Sequence, residues 1–148
     1  MSKAEDPTYA TTLEVRDTCL CLFVQRAARS LARRFDAALR PLDLTNGQFS
    51  LLMSLNRPAP PAMGDVAELL AMDRTTLTAN LKPLERRGLV SVAVGEGDRR
   101  RRLLRLTKEG RALLAEAVPI WRREHAVIEG LLACGDADRL RADLLSLS

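Results

Sequence analysis

Along most of this chain the hydrophobic positions return with a helical period, and in one short stretch they alternate as in a strand. From Thr8 to Leu42, the positions Leu13, Leu20, Val24, Ala27, Leu31, Phe35, Ala38 and Leu42 recur every three or four residues, with one gap of seven. Arg16, Arg26, Arg29, Arg33 and Arg34 occupy other faces. This periodicity predicts one long helix that begins between Thr8 and Thr12, after a loose tail at residues 1–7, and that Pro41 ends or kinks. Cys21, Leu22 and Phe23 widen its apolar surface, so it is expected to pack against more than one neighbour, another subunit among them. LTNGQFSLLMSLN, 44–56, predicts a second helix, with Thr45 and Gln48 at capping-box spacing and Phe49, Leu52, Met53 and Leu55 as its buried side. Three prolines in RPAPPA, 57–62, break the pattern. A short third helix, Gly64 to Ala71, is expected to turn Val66, Leu69 and Leu70 inward. Only Ala71, Met72 and Asp73 then precede the next helix, a spacing that predicts a helix-turn-helix.

That next stretch, DRTTLTANLKPLERRGLV at 73–90, is the one the rest of the chain is built to present. Leu77, Leu81 and Leu84 fall at i, i+4 and i+7 and form one apolar stripe. Arg74, Thr75, Thr78, Asn80 and Lys82 lie on other faces and can hydrogen-bond base edges and phosphates. Asp73 is the expected N-cap and Gly88 the stop. The period then changes to alternation: Val90, Val92 and Val94 share one strand face, Gly95, Glu96 and Gly97 supply turn chemistry, and Leu104 and Leu106 return on a second strand. The tip of this hairpin is Asp98 followed by Arg99, Arg100, Arg101 and Arg102, and a basic hairpin beside a helix-turn-helix is a winged helix. Thr107 is expected to cap a long C-terminal helix carrying Leu113, Leu114, Ala117, Ile120, Trp121, Val127, Ile128, Leu131 and Leu132, bent by Pro119. Cys134-Gly135-Asp136 is expected to break it, and a last helix from Asp136 to bury Leu140, Leu144 and Leu147.

The expected fold is therefore mostly α with a small β-hairpin. A winged helix-turn-helix DNA-binding lobe spans 43–107, an N- and C-terminal helical dimerisation region spans 8–42 and 108–148, and the whole chain, 1–148, is one domain. Two copies related by a two-fold axis would bury the surplus apolar faces of the terminal helices.

Composition changes this picture only at the margins. At 148 residues and 47% hydrophobic content the chain can bury a core. Its net charge of +4 is carried almost wholly by arginine, since the lysines are Lys3, Lys82 and Lys108. Arginine forks suit phosphate and guanine, but coding bias also enriches arginine, so placement counts for more than the sum. The polar, acidic N-terminus does not resemble an export signal, and no apolar run approaches the roughly 18 residues of a membrane span, so a cytoplasmic protein without membrane contact is expected. Cys19, Cys21 and Cys134 are too few and too irregular for a disulfide scaffold or a four-ligand zinc site. His125, the single histidine, has no nucleophile or orienting carboxylate at a motif spacing, and the GEG at 95–97 lacks the residues of a phosphate loop. Neither an enzyme nor a cofactor is expected.

The runs LTNGQFSLL, MGDVAELLAMDRTTLTANLKPLERRGLV and GDRRRRLLRLTKEG together resemble the MarR (multiple antibiotic resistance regulator) family of bacterial transcription regulators, from about Leu13 to the C-terminus. The resemblance implies a winged-helix homodimer, usually a repressor, released from double-stranded operator DNA by a small molecule or an oxidant. The family's wing motif falls on Asp98 and Arg100, with Arg99 beside them, and its closing LTxxG on Leu106, Thr107 and Gly110. An Asp at the tip can hold an Arg guanidinium in a bidentate pair and aim Arg100 into the minor groove; alternatively Asp98 simply starts the turn. Arg101 or Arg102 is free to pair with acidic groups at the domain surface. On the recognition helix, Thr75, Thr78 and Lys82 align with DNA-contacting positions and Arg74 with a phosphate contact, whereas Ala79 stands where many members carry arginine or a polar residue, leaving a thymine methyl as its contact. Pro83 removes a helical hydrogen bond and is expected to kink the helix.

The resemblance also implies a ligand pocket between the dimer helices and the DNA-binding lobe, with Phe23, Ala27 and Phe49 as candidate walls. Family members that sense organic hydroperoxides carry a reactive thiol near Cys21, and a two-cysteine variant would add Cys134. The tyrosines that support that thiol appear here as Phe35 and Asn46, which favours Cys21 as an inert apolar filler. Two alternatives to a ligand-relieved repressor therefore stand: a thiol-based oxidant sensor of the same fold, and a winged-helix architectural or protein-interaction module.

Overall fold

The computed structural model describes residues 6–148, so most of the expected loose tail lies outside the described residues. The chain divides into two compact units, one up to Arg34 and one from Phe35 onward.

In the first unit, α1 (Tyr9–Thr18) is capped by the Thr8 hydroxyl, which accepts from the Thr11 N–H, and it buries no residue. The single long helix expected here is interrupted: Cys19 turns extended, with ψ at 106°, before α2 (Leu20–Leu39) begins. Two features explain the break. The seven-residue gap between Leu13 and Leu20 leaves no apolar stripe to hold the junction. The Thr18 hydroxyl also donates to the Glu14 carbonyl at 2.7 Å, a back-bond that bends helices. The interruption is one residue wide, because the Cys19 N–H still reaches the Val15 carbonyl and the Phe23 N–H reaches that of Cys19.

The second unit holds the core, in which Leu52, Val66, Leu77, Leu84, Leu104 and Ala117 are fully buried. Pro41 acts as expected: α2 ends at Leu39, Arg40–Leu42 form a 3-10 turn, and Asp43 takes a left-handed conformation with φ 52°. The capping box of α3 (Asn46–Ser54) is complete, the Thr45 hydroxyl accepting from the Gln48 N–H at 3.2 Å and the Gln48 Oε1 from the Thr45 N–H at 3.1 Å. Phe49, Leu52 and Leu55 are buried as expected, but Leu51 is buried in place of Met53, which is exposed. α3 is packed against the helices at Met63–Leu69 (α4), Arg74–Arg86 (α5) and Lys108–Glu129 (α6), so its inward surface is broader than one stripe and Met53 falls on the remaining open side.

α4 (Met63–Leu69) is shorter than expected, since Leu70 caps it and Ala71 is left-handed at φ 51°. Its inward face centres on Val66 and Ala67, with Leu70 half-buried; Leu69, expected inward, is 60% exposed. α5 (Arg74–Arg86) follows, then β1 (Val90–Val94) and β2 (Arg102–Leu106), an antiparallel pair in which Val90 faces Leu106 and Val92 faces Leu104. Leu103 bridges Ala62, and the Leu104 N–H reaches the Pro61 carbonyl at 2.9 Å, so the proline segment lies along the hairpin.

α6 (Lys108–Glu129) starts at the predicted cap, Thr107, but ends at Gly130, ahead of the expected Cys134-Gly135-Asp136 break, leaving Leu131 and Leu132 in the turn. α7 (Ala137–Leu145) starts from Asp136 and buries nothing: Leu140, Leu144 and Leu147 are all exposed, contrary to expectation, because no element of the described chain covers them. The result is a mostly helical chain with one antiparallel hairpin among the described residues, a winged helix.

Candidate nucleic-acid interface

α5 is fixed at both ends. At its start the Asp73 carboxylate accepts from the Thr76 N–H at 2.8 Å and the Thr76 hydroxyl at 2.9 Å, satisfying one orphan amide of the first turn. These two bonds hold the Asp73 carboxyl below its usual range. At its end Gly88 adopts φ +70°, where L side chains are strained, and the Leu89 N–H closes back on the Leu84 carbonyl at 3.0 Å. Arg87 then ties this end to the turn before α3, its Nη1 donating to the Asp43 carbonyl at 2.6 Å and its Nη2 to that of Leu42 at 3.3 Å.

With Leu77, Leu81 and Leu84 buried, the opposite face is set by helical phase alone. Arg74, Thr75, Thr78, Ala79 and Lys82 together line one shallow hollow of about 340 Å³. The Thr78 hydroxyl donates to the Arg74 carbonyl at 2.8 Å and lies 3.7 Å from the Met63 sulfur. The Arg74 guanidinium lies over Gly64, where an added Cβ would come within 3.3 Å of it. Asn80 is turned elsewhere, its amide nitrogen 3.8 Å from the Met72 sulfur. The helix runs on through Pro83 to Arg86.

In the wing, the Asp98 Oδ1 accepts from the Arg100 N–H at 2.9 Å and its carbonyl from the Arg101 N–H at 3.1 Å. Asp98 thus closes the turn on the backbone, and the bidentate pair with the Arg100 guanidinium does not form. A carboxylate this short reaches the amide two residues on, whereas the long arginine side chain projects outward. The Arg102 guanidinium donates to the Arg99 carbonyl at 2.9 Å rather than to an acidic group, and Arg99, Arg100 and Arg101 are exposed.

The wing enters α6 through Thr107. Its hydroxyl donates to the Gly88 carbonyl at 2.6 Å and accepts from the Gly110 N–H at 3.0 Å, while its own N–H reaches the Leu89 carbonyl at 3.1 Å. Gly110 is buried against the same carbonyl, so that an added Cβ would collide with the Leu89 oxygen. Two of the three fixed positions of LTxxG, Thr107 and Gly110, therefore lock the end of α5, the wing and α6 at one point.

A separate groove of about 460 Å³ lies among α3, α4 and α6, with Phe49, Met53, Leu70 and Trp121 as apolar walls and Arg122 and Ser50 as polar ones. Phe49 stacks on Trp121 with centroids 6.3 Å apart, and Trp121 on His125 at 4.7 Å. Of the three expected pocket walls, Phe49 lines this groove; Phe23 and Ala27 are exposed positions of α2 in the other unit. Cys21 is exposed rather than a filler of the core, its sulfur accepting from the Gln25 amide at 3.1 Å, and Cys134 is exposed as well. Asn46 is already committed, donating through its backbone and side-chain N–H groups to Asp36 at 2.7 and 3.0 Å, which holds that carboxyl below its usual range.

A family model for the MarR family matches residues 42–101. The organic hydroperoxide resistance transcriptional regulator of Bacillus subtilis (strain 168) is 31% identical over 101 residues, covering 68% of this chain and 69% of that protein. The chain belongs to the MarR family. The HTH-type transcriptional repressor NicR of Pseudomonas putida is also 31% identical, over 63% of this chain and 59% of its own length, so the chain spans less than two thirds of that relative. Among solved structures, the M. tuberculosis transcriptional regulator MosR in complex with DNA is 41% identical, with a TM-score of 0.80 over 88% of this chain and 93% of that one. The transcriptional repressor CouR, bound to a 23-mer DNA duplex, is 28% identical, with a TM-score of 0.79 over 97% of this chain and 99% of that one. All four of these relatives are transcriptional regulators or repressors. No helix among the described residues is long and apolar enough to cross a membrane.

Proposed function

We propose that this MarR-family protein is a sequence-specific DNA-binding transcription regulator, a repressor that acts as a homodimer on a pseudo-palindromic operator and is relieved by a small molecule. The observation that carries the reading is the α5 hollow, where Arg74, Thr75, Thr78 and Lys82 converge on a face the core leaves open, in a unit that also carries the exposed arginines of the wing. Arg74 and Lys82 neutralise phosphates, Thr75 and Thr78 address base edges in the major groove, and Arg99 and Arg100, on the turn that Asp98 closes, reach the flanking minor groove. Residues 43–107 form the DNA-binding lobe and 8–42 with 108–148 the dimerisation region. The dimer is supported by apolar side chains left in water: Leu20, Phe23 and Val24 on α2, Leu131 after α6, and Leu144 and Leu145 on α7. A two-fold dimer would set its recognition helices in successive major grooves, about 34 Å apart.

The effector site in this reading is the groove walled by Phe49 and Trp121, whose apolar lining and single arginine suit a small molecule with one anionic or polar end. An occupant that favours one conformation of the lobe would shift the spacing of the two recognition helices. The test is binding of the full-length protein to duplexes from the region upstream of its own gene against a scrambled duplex, across a salt series and with candidate ligands. Sequence preference that survives moderate salt supports the regulator. Equal affinity for both duplexes, vanishing at moderate salt, supports an architectural module instead. The exposure of Cys21 keeps a thiol-based release testable in the same assay, since only that reading requires Cys21→Ser to abolish release by peroxide.

A further inference from the structure

Two thioethers stand against polar side chains of the recognition helix. Met63, which opens α4 and is half-buried, has its sulfur 3.7 Å from the Thr78 hydroxyl. Met72, half-buried in the turn between α4 and α5, has its sulfur 3.8 Å from the Asn80 amide nitrogen. A thioether is a weak acceptor, so the Thr78 hydroxyl keeps its proton on the Arg74 carbonyl at 2.8 Å and its oxygen on the open face of α5. A sulfoxide oxygen at the same place is a strong acceptor.

We propose that Met63 and Met72 form an oxidation switch of the helix-turn-helix, in which conversion of the Met63 thioether to its sulfoxide captures the Thr78 hydroxyl and weakens DNA reading. The oxidant class is a hydroperoxide. A sulfur lone pair attacks the distal peroxide oxygen, the O–O bond breaks as the S–O bond forms, sulfur is oxidised by two electrons, and the peroxide leaves as water or an alcohol after proton transfer. Set off the line from sulfur to the Thr78 oxygen, the new oxygen comes within hydrogen-bond reach of the hydroxyl, which turns from the DNA-facing hollow toward α4. At Met72 the same change holds Asn80 and stiffens the turn that aims the helix. At Met63 the polar oxygen also enters a half-buried site packed on the core, which loosens the contact between α4 and α5. The inference rests on the DNA-binding role of α5 proposed above, and is independent of the thiols.

The test uses full-length protein carrying Cys19→Ser, Cys21→Ser and Cys134→Ser, treated with hydrogen peroxide, with peptide mass spectrometry to locate the added oxygen. Oxidation at Met63 and Met72 is expected to lower affinity for a bound duplex about tenfold, the scale of one lost base-edge contact. Methionine sulfoxide reductase should restore it, and Met63→Leu with Met72→Leu, near-isosteric changes that keep the packing, should resist it. A readout without DNA is the methyl NMR signal of Met63, whose sulfoxide should shift differently in Thr78→Val. The proposal is overturned if both methionines stay reduced while Met53 is oxidised, if their sulfoxides leave affinity unchanged, if the double leucine variant loses affinity equally, or if the methyl shift ignores Thr78. Failure of the untreated protein to bind any duplex overturns the DNA-binding reading instead, and the NMR comparison still decides whether the sulfoxide engages Thr78.

Discussion

Replacing Gly110 by Ala adds a single methyl group at the point where three elements meet. The new carbon would collide with the Leu89 carbonyl oxygen, stand 3.0 Å from the Leu89 carbonyl carbon and lie 3.3 Å from the Leu106 Cδ2. Ordinary carbon contacts settle at roughly 3.5–4.0 Å, so either the start of α6 or the turn after α5 must retreat. Retreat on either side loosens the Thr107 bonds to Gly88 and Leu89, which span 2.6 and 3.1 Å. Overpacking of this kind costs about 1–3 kcal/mol, and a weakened N-cap adds about 1 kcal/mol. Alanine's better helix propensity returns about 1 kcal/mol, leaving a net loss of roughly 1–3 kcal/mol. Urea denaturation followed by circular dichroism would read this as a lower midpoint at unchanged slope. Gly47→Ala, in the first turn of α3 where an added Cβ meets only the Thr45 Oγ1 at 4.0 Å, is the control and should not lower stability. A Gly110→Ala protein as stable as wild type would refute the lock described for Thr107 and Gly110.

Other consequences can be checked alongside. Arg100→Ala should weaken operator binding and reduce the slope of log affinity against log salt by about 0.9, as for one phosphate contact, in a fluorescence-anisotropy salt series. Arg87→Ala removes two bonds to the Leu42 and Asp43 carbonyls and should lower stability by about 1 kcal/mol in the same urea titration, with Arg87→Lys restoring only part of it. Asp36 and Asp73 are both held below the ordinary carboxylate range by the amides and hydroxyl they accept from. Their contribution is therefore fully present above the unfolded-state value of about 3.9 and is lost as pH falls through their lower folded values. Acid titration followed by circular dichroism should show stability falling below about pH 4, with a shallower fall in Asp36→Asn with Asp73→Asn.

Those features that depend on neighbours in sequence were legible before any coordinates. The Thr45–Gln48 capping box, the Asp73 and Thr107 caps, the Leu77/Leu81/Leu84 stripe and the alternation of Val90 and Val92 with a return strand at Leu104 and Leu106 are all local in spacing. What escaped depends on partners far along the chain. Leu51 is inward and Met53 outward because α4, α5 and α6 crowd α3 from several sides, and Ala67 is buried in place of Leu69 where α4 meets α3, α5 and β2. The break at Cys19 had a faint signal in the seven-residue apolar gap, but nothing showed that Thr18 would bond Glu14. Arg87 looked like one more basic residue before a glycine, and its partners lie more than forty positions upstream. At the candidate site, helical phase put Arg74, Thr75, Thr78, Asn80 and Lys82 off the buried stripe without showing that Asn80 turns away from the other four, and the Asp98 turn was decided by backbone geometry that sequence leaves open between an amide and a guanidinium. Trp121 stood among the apolar residues along the C-terminal helix but was not placed in a groove, since a groove is made by three helices together.

The central claim is that the open face of α5 reads DNA sequence. Its most direct test is the ratio of affinities for the duplex upstream of the protein's own gene and a scrambled duplex, measured at physiological salt for wild type and for Thr75→Ala with Thr78→Ala. An α5 that reads sequence gives a wild-type ratio of about a thousand or more, and a loss of at least about tenfold in the double variant at unchanged fold. A wild-type ratio near one, or a ratio that the double variant leaves untouched, would contradict it.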